Sequence, residues 1–173
     1  MFTRKSAAAI LSIVLAVLVS TSSIFGQSAN DGFDPLPAAG GSVDAVALLS
    51  TGQMYVGGSF TSIGGLTRSS IALLNHDGTG NALFNAVGVK KLSNGTLFPG
   101  FVSAIVVQND GKIIIGGDFT EVNGVARANI ARIDQFGALD TSFVANTNGT
   151  VFSLALTFSQ DVIAGGLFTS LQR

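Results

Sequence analysis

The sequence predicts an all-β fold of propeller-like repeat units, each of four short strands, and three observations carry that prediction. Apolar runs end in Gly-Gly-x-Phe-Thr at three places, 57–61, 116–120 and 165–169. The copies hold one register. Val43, Val102 and Val151 each lie 14 residues ahead of the first glycine, and Phe60 and Phe119 are followed by arginine after 8 residues, glycine after 18 and a second phenylalanine after 24. The leading strand of each copy is apolar on both faces, so it needs cover on both, as in a sheet stacked between neighbours. A sustained register of this kind marks a repeat architecture, and four strands per unit is the count of a propeller blade.

Along the chain, Arg4 and Lys5 precede an apolar stretch of 13 residues, Ala7 to Val19, too short for the about 20 helical residues of a bilayer span. A basic start, an apolar middle and a small-residue exit predict a secretory signal helix over 1–29, cleaved after Ala29. Its loss takes the formal charge from −1 to −3, with 7 basic and 10 acidic residues remaining. The chain has no cysteine and is 11% charged. Disulfides and lipid attachment at cysteine are thereby excluded. The lack of a basic stripe argues against nucleic acid as a partner, and removal of the leader against stable membrane insertion.

Residues 30–173 then form the repeat region, with units at about 43–86, 102–146 and, in part, 151–173. In each, strand A (43–49, 102–107, 151–157) runs through a polar turn, Asp110-Gly111 being the strongest hairpin signal, into strand B (Met54–Val56, Ile113–Ile115, Val162–Ala164) and the glycine pair. Strand C covers 70–74 and 129–133, and a short D segment arrives at Phe84 or Phe143. On strand A one face is small or medium (Val43, Ala45, Ala47; Val102, Ala104, Val106; Val151, Ser153, Ala155) and the other larger (Val46, Leu48; Ile105, Val107; Leu154, Leu156), so the bulky face of one unit is expected to pack on the small face of its neighbour. The glycine pair is read as a strand end that permits a bulge or close backbone approach, with the following Phe as a core plug. A phosphate cradle would need a helix N-terminus after it, and no helical pattern follows. Residues 87–100, where the spacing between copies is longest, are expected to be an exposed excursion.

Little chemistry is available. His76 is the one histidine and, with no cysteine, leaves no ordinary zinc or copper set; it is read as a solvated turn residue. Asp118 and Glu121 have the residue types of a glycosidase pair but are read as loop carboxylates. Asn94-Gly95-Thr96 and Asn148-Gly149-Thr150 match the glycosylation pattern and are read as turns. Arg68 and Arg127, at one place in each unit, are read as ties to carbonyls or carboxylates of the adjoining strand, with a cationic ring for an anionic partner as the alternative. No catalytic, cofactor or metal residue is assigned.

The second unit carries Asp110-Gly111-Lys112, Gly116-Gly117-Asp118-Phe119-Thr120, Asn123-Gly124, Arg127, Ile130-Ala131-Arg132 and Leu139-Asp140-Thr141-Ser142-Phe143. In these motifs the chain resembles the delta-60 repeat family of bacterial propeller-type proteins. The first unit departs from the pattern at Gly64-Gly65, Leu73 and Asn81-Ala82-Leu83. The resemblance implies a secreted or cell-surface β-propeller-like module and no particular enzymatic activity. About two and a half units fall short of the roughly four to eight blades that close a propeller, so the chain is expected to be the N-terminal piece of a longer protein, and to self-associate when expressed alone. The expected function is noncatalytic binding of a protein or glycan partner, or scaffolding. The alternative is the propeller part of a secreted hydrolase or oxidase whose active site lies in further sequence.

Overall fold

The computed structural model describes residues 41–85 and 87–172; the expected signal helix, Phe33, Ala86 and Arg173 lie outside them. All sixteen elements are strands: β1 (Ser42–Leu48), β2 (Met54–Ser59), β3 (Ser62–Ile63), β4 (Leu66–Thr67), β5 (Ile71–Leu74), β6 (Val89–Ser93), β7 (Thr96–Pro99), β8 (Phe101–Val107), β9 (Ile113–Asp118), β10 (Glu121–Val122), β11 (Val125–Ala126), β12 (Ile130–Ile133), β13 (Asn146–Thr147), β14 (Val151–Leu156), β15 (Val162–Gly166) and β16 (Leu171–Gln172).

Strands A, B and C of the first two units form the antiparallel sheets β1-β2-β5 and β8-β9-β12, and the third unit contributes the pair β14-β15. The A–B turns close on residues in the left-handed region, Gly52 (φ 82°) and Gly111 (φ 81°), with Gln160 (φ 67°) in the third copy. Glycine takes that conformation without a Cβ penalty. Gln160 is held there in part by its neighbour, its Oε1 accepting the Asn109 N–H at 2.9 Å. Between B and C each unit inserts a small hairpin, β3-β4 or β10-β11, turned by Gly64-Gly65 and by Asn123-Gly124, all four at positive φ. That is the chemistry a two-residue hairpin turn requires, and it explains why Gly-Gly replaces Asn-Gly without loss of the element. The D segment is not a ladder. It contributes one bridge, Leu74 to Gly80 or Ile133 to Leu139, because the chain turns at once at Asn81 or Asp140 to deliver Phe84 or Phe143.

The sheets stack in the order of the sequence, as their two-faced strands require. Ala45, Tyr55, Ile71 and Leu73 of the first unit pack with Val102, Ile105, Ile113, Ile115, Ala131 and Ile133 of the second. The other face of the second unit, with Ile114 and Ile130, packs on Val151, Leu154, Val162 and Phe168 of the third. Small face thus meets larger face between neighbours, as expected, with the small face turned to the following unit. Val102 and Val151, expected on the small face, lie instead with Ile105 and Leu154 on the larger one, because the register slip after each valine shifts the alternation by one residue. Among the described residues, the outer face at each end of the stack carries exposed aliphatic side chains, although Val56, Ala72 and Leu74 of the leading face are buried with Phe60 and Ile63. Val46 and Leu48 on the leading face are 60% and 71% exposed, and Ile163 on the trailing face is 56% exposed.

Strand B runs through the first two glycine pairs to Ser59 and Asp118, one residue beyond the second glycine, and in the third copy ends at Gly166. Phe60 and Phe119 are buried plugs, whereas Phe168 is half-buried against the second unit. Residues 87–100 form the expected exposed excursion, anchored at both ends. Val87, Val89 and Gly100 are buried, and β6-β7 joins β10-β11 in one four-stranded sheet. The anchoring comes from the aliphatic ends of the segment, while residues 92–99, most of the β6-β7 hairpin, are exposed.

Candidate functional site

The glycine pair has two separate jobs. A Cβ on the first glycine would reach the next unit, 2.6 Å from Val102 Cγ1 for Gly57 and 2.6 Å from Val151 Cγ1 for Gly116. A Cβ on the second would fall on a backbone carbonyl of the same unit's strand A, that of Ser42, Phe101 or Thr150 for Gly58, Gly117 and Gly166. Register slips by one residue at that point in all three A–B pairs. The first glycine therefore sets the distance between units and the second allows a β-bulge.

The repeated arginines are ties. Arg68 donates from its Nη atoms to the carbonyls of Thr67 (2.9 Å) and Phe84 (2.8 Å), and Arg127 to those of Ala126 (2.8 Å) and Thr141 (3.3 Å). Each joins the inserted hairpin to the D segment of its own unit. Asp118 pairs with Lys91 of the β6 strand, and Glu121 lies in the β10 ladder. His76 is exposed in its turn. Asn94 and Gly95 form the β6-β7 turn, both at positive φ. Asn148 accepts the Thr169 and Ser170 N–H groups at 2.9 and 3.0 Å, which ties the segment before β14 to the third Phe-Thr.

Two features were not legible as sites. Ser70 and Asn129, at equivalent positions before strand C, both adopt φ 66° and are buried. Asn129 Oδ1 accepts the Phe119 N–H at 3.1 Å and its Nδ2 donates to Thr147 O at 3.0 Å. The second feature is a charged cluster where the second unit meets the third. Asp140 accepts from Arg132 Nε and Lys112 Nζ, both at 3.0 Å, and from the Ser142 hydroxyl at 2.6 Å. The Ser142 hydroxyl, opposed by burial as the next strongest effect, together with Lys112, the Ser142 N–H and Arg132 holds this carboxyl well below the usual carboxylate range. The Arg132 guanidinium also lies 4.9 Å from the Phe143 ring centroid. Both ends of the cluster stand in repeat motifs, Asp-Gly-Lys and Leu-Asp, but only the fold shows that they meet. In the first unit the same places hold Gln53, Leu73 and Asn81, so the cluster has a neutral counterpart there.

Beside this cluster is a cavity of about 320 Å³ lined by Gln108, Arg132, Phe143, Val144, Gln160 and Val162, among others. A cavity of about 270 Å³ lies at the equivalent place between the first two units, lined by Leu49, Tyr55, Leu73, Leu83, Phe84 and Phe136, among others. Phe84, which corresponds to Phe143, is fully buried in the core shared with Ala131 and Ile133 of β12. The Asn85 N–H, which corresponds to that of Val144, donates to Phe136 O at 2.9 Å.

Residues 49–84 and 108–143 match the family model described as a β-propeller domain of unknown function, DUF5122. Both matched stretches start at the A–B turn and end at the plug Phe84 or Phe143, so they frame the same part of two successive units. The chain is thus similar to a propeller-like repeat family. No curated protein and no solved structure matches it. Among the described residues no group of three or more His, Cys, Asp or Glu is placed to hold a metal ion, and no helix is long and apolar enough to cross a membrane.

Proposed function

We propose that the chain is a noncatalytic, secreted or surface-exposed module of the delta-60 type, whose stacked units present a surface to a protein or glycan partner or support neighbouring domains. One observation carries this reading. The polar side chains that recur from unit to unit, Arg68 and Arg127 above all, donate to backbone carbonyls of their own unit, so the repeated polar chemistry serves the scaffold. The basic, apolar and small-residue blocks of 1–29 support export.

Two measurements test it together. Mass spectrometry of protein recovered outside the cytoplasm should find an N-terminus at or near residue 30, and an intact Met1 overturns the export half. Turnover of the purified chain against panels of glycosidase, esterase and oxidase substrates should stay at the level of buffer; saturable turnover overturns the noncatalytic half.

A further inference from the structure

We infer that Asn94, at the tip of the β6-β7 hairpin, is a site of spontaneous modification: its carboxamide converts through a succinimide to isoaspartate and aspartate in the folded chain, while the fold holds the other two Asn-Gly pairs against that reaction. This goes beyond the module reading above and does not depend on it.

Asparagine precedes glycine at Asn94-Gly95, Asn123-Gly124 and Asn148-Gly149. Glycine presents no Cβ to hinder attack by its own nitrogen, so all three pairs have the reactive sequence and their surroundings decide between them. Asn123 Oδ1 accepts the Gly88 N–H at 2.8 Å, and its Nδ2 donates to Gly137 O at 3.1 Å. Asn148 Oδ1 accepts two N–H groups of the Thr169-Ser170 segment, and its Nδ2 donates to Thr169 Oγ1 at 2.8 Å. Asn94 is exposed. Among the described residues the side-chain hydrogen bonds of its hairpin involve Lys90, Lys91 and Leu92, and none reaches Asn94. Space follows the same order. A Cβ on Gly95 would meet nothing within 4 Å, whereas one on Gly149 would fall 1.7 Å from Leu167 O. Of the three, Asn94 alone combines a free amide with an open backbone and no tether. The attack requires the turn, at φ 50° and 78°, to open. With β7 exposed along its length, that opening stays local.

The step balances with water alone. Hydroxide removes the Gly95 N–H proton, the nitrogen attacks Asn94 Cγ, the Cγ–Nδ2 bond breaks, and the leaving nitrogen takes a proton from water to depart as ammonia. Water then opens the ring, at the main-chain carbonyl to give isoaspartate or at Cγ to give aspartate. Either product adds a carboxylate beside Leu92, Leu97 and Phe98, the exposed apolar side chains of the hairpin. Isoaspartate also lengthens the main chain within the two-residue turn that joins Ser93 to Thr96.

The test incubates the purified full chain at mildly alkaline pH and follows its tryptic peptides by mass spectrometry, with electron-transfer fragmentation to tell isoaspartate from aspartate. Cleavage after Lys91, Lys112, Arg127 and Arg132 puts the three pairs on separate peptides. Asn94 should convert at least about tenfold faster than Asn123 or Asn148, whose amides must first give up two or more hydrogen bonds. In urea, with the fold removed, the three should convert at comparable rates. Conversion of Asn123 or Asn148 as fast as Asn94 in the folded chain, no product at Asn94, or the same ranking in urea overturns the inference.

Discussion

At the scale of single residues, the strongest constraints are glycines whose missing Cβ is space used by a neighbour. Gly116→Ala pushes against Val151 of the next unit and should destabilise by about 1–3 kcal/mol through overpacking. Gly165→Ala meets only the flexible Ser153 hydroxyl and should cost under about 1 kcal/mol. Urea denaturation of the pair checks this, and equal costs would show that the spacing role assigned to Gly116 is wrong. Arg127 is buried and its Nη atoms satisfy two carbonyls. Arg127→Gln cannot reach both, and should cost about 1–3 kcal/mol. Arg132→Gln, by contrast, removes the contact with Phe143 and one partner of Asp140 while leaving the turn intact.

At the scale of elements, the D segment shows how one turn is built from different chemistry. Asp140 accepts the Ser142 N–H at 3.0 Å and Asn81 accepts the Leu83 N–H at 2.9 Å, so both side chains nucleate the same turn. Only Asp140 adds ionic partners. Its folded pKa is depressed, so the stability it contributes is present above the ordinary aspartate value of about 3.9 and is lost as pH falls below that value through the folded one. Asp140→Asn should fold at neutral pH with a loss of about 1 kcal/mol and a flatter acid limb of stability. Thermal melts from pH 7 to pH 2 read this directly; an unchanged acid limb would place the pH dependence elsewhere. Within the sheets, Ile105 is covered by the first unit. Ile105→Asp buries an unpaired carboxylate and should cost more than about 4 kcal/mol, which circular dichroism would register as loss of the fold.

At the scale of the whole molecule, cover is uneven along the stack. Among the described residues the second unit is packed between two neighbours, the first against one, with a cluster of its own on the other face (Val56, Phe60, Ile63, Ala72 and Leu74), and the third is a two-stranded pair against its neighbour. In a repeat array stability is carried by the interfaces between units. Native-state hydrogen exchange should therefore be slowest at Ile113–Ile115 and fastest in β15. Uniform protection across the three units would mean that the stack opens only as a whole. The exposed Val46 and Leu48 on the leading face are the residues through which self-association is expected. Light scattering should find concentration-dependent oligomers, reduced in the double variant Val46→Lys, Leu48→Lys; a monomer at all concentrations overturns that expectation.

The sequence by itself determined the repeat, the strands and the packing of large faces on small ones. These follow from local facts: glycine and Asn-Gly where the chain must turn, alternation that leaves both faces of strand A apolar, and a fixed distance from Val102 to Gly116 and on to Phe119. The arginine ties were also legible, because a cation recurring at one place in each unit has a constant backbone environment. Tertiary structure decided the rest. That the two glycines of a pair serve different neighbours depends on which strand passes within 3 Å of each. That Lys112, Arg132 and Asp140 meet depends on strands B and C being paired, as no spacing in the sequence puts them together. The third plug, Phe168, shares its motif with Phe60 and Phe119, yet it is only half-buried. Burial is a property of what lies opposite, and the strand that would lie beside β15 is present in the first two units and not among the described residues of the third.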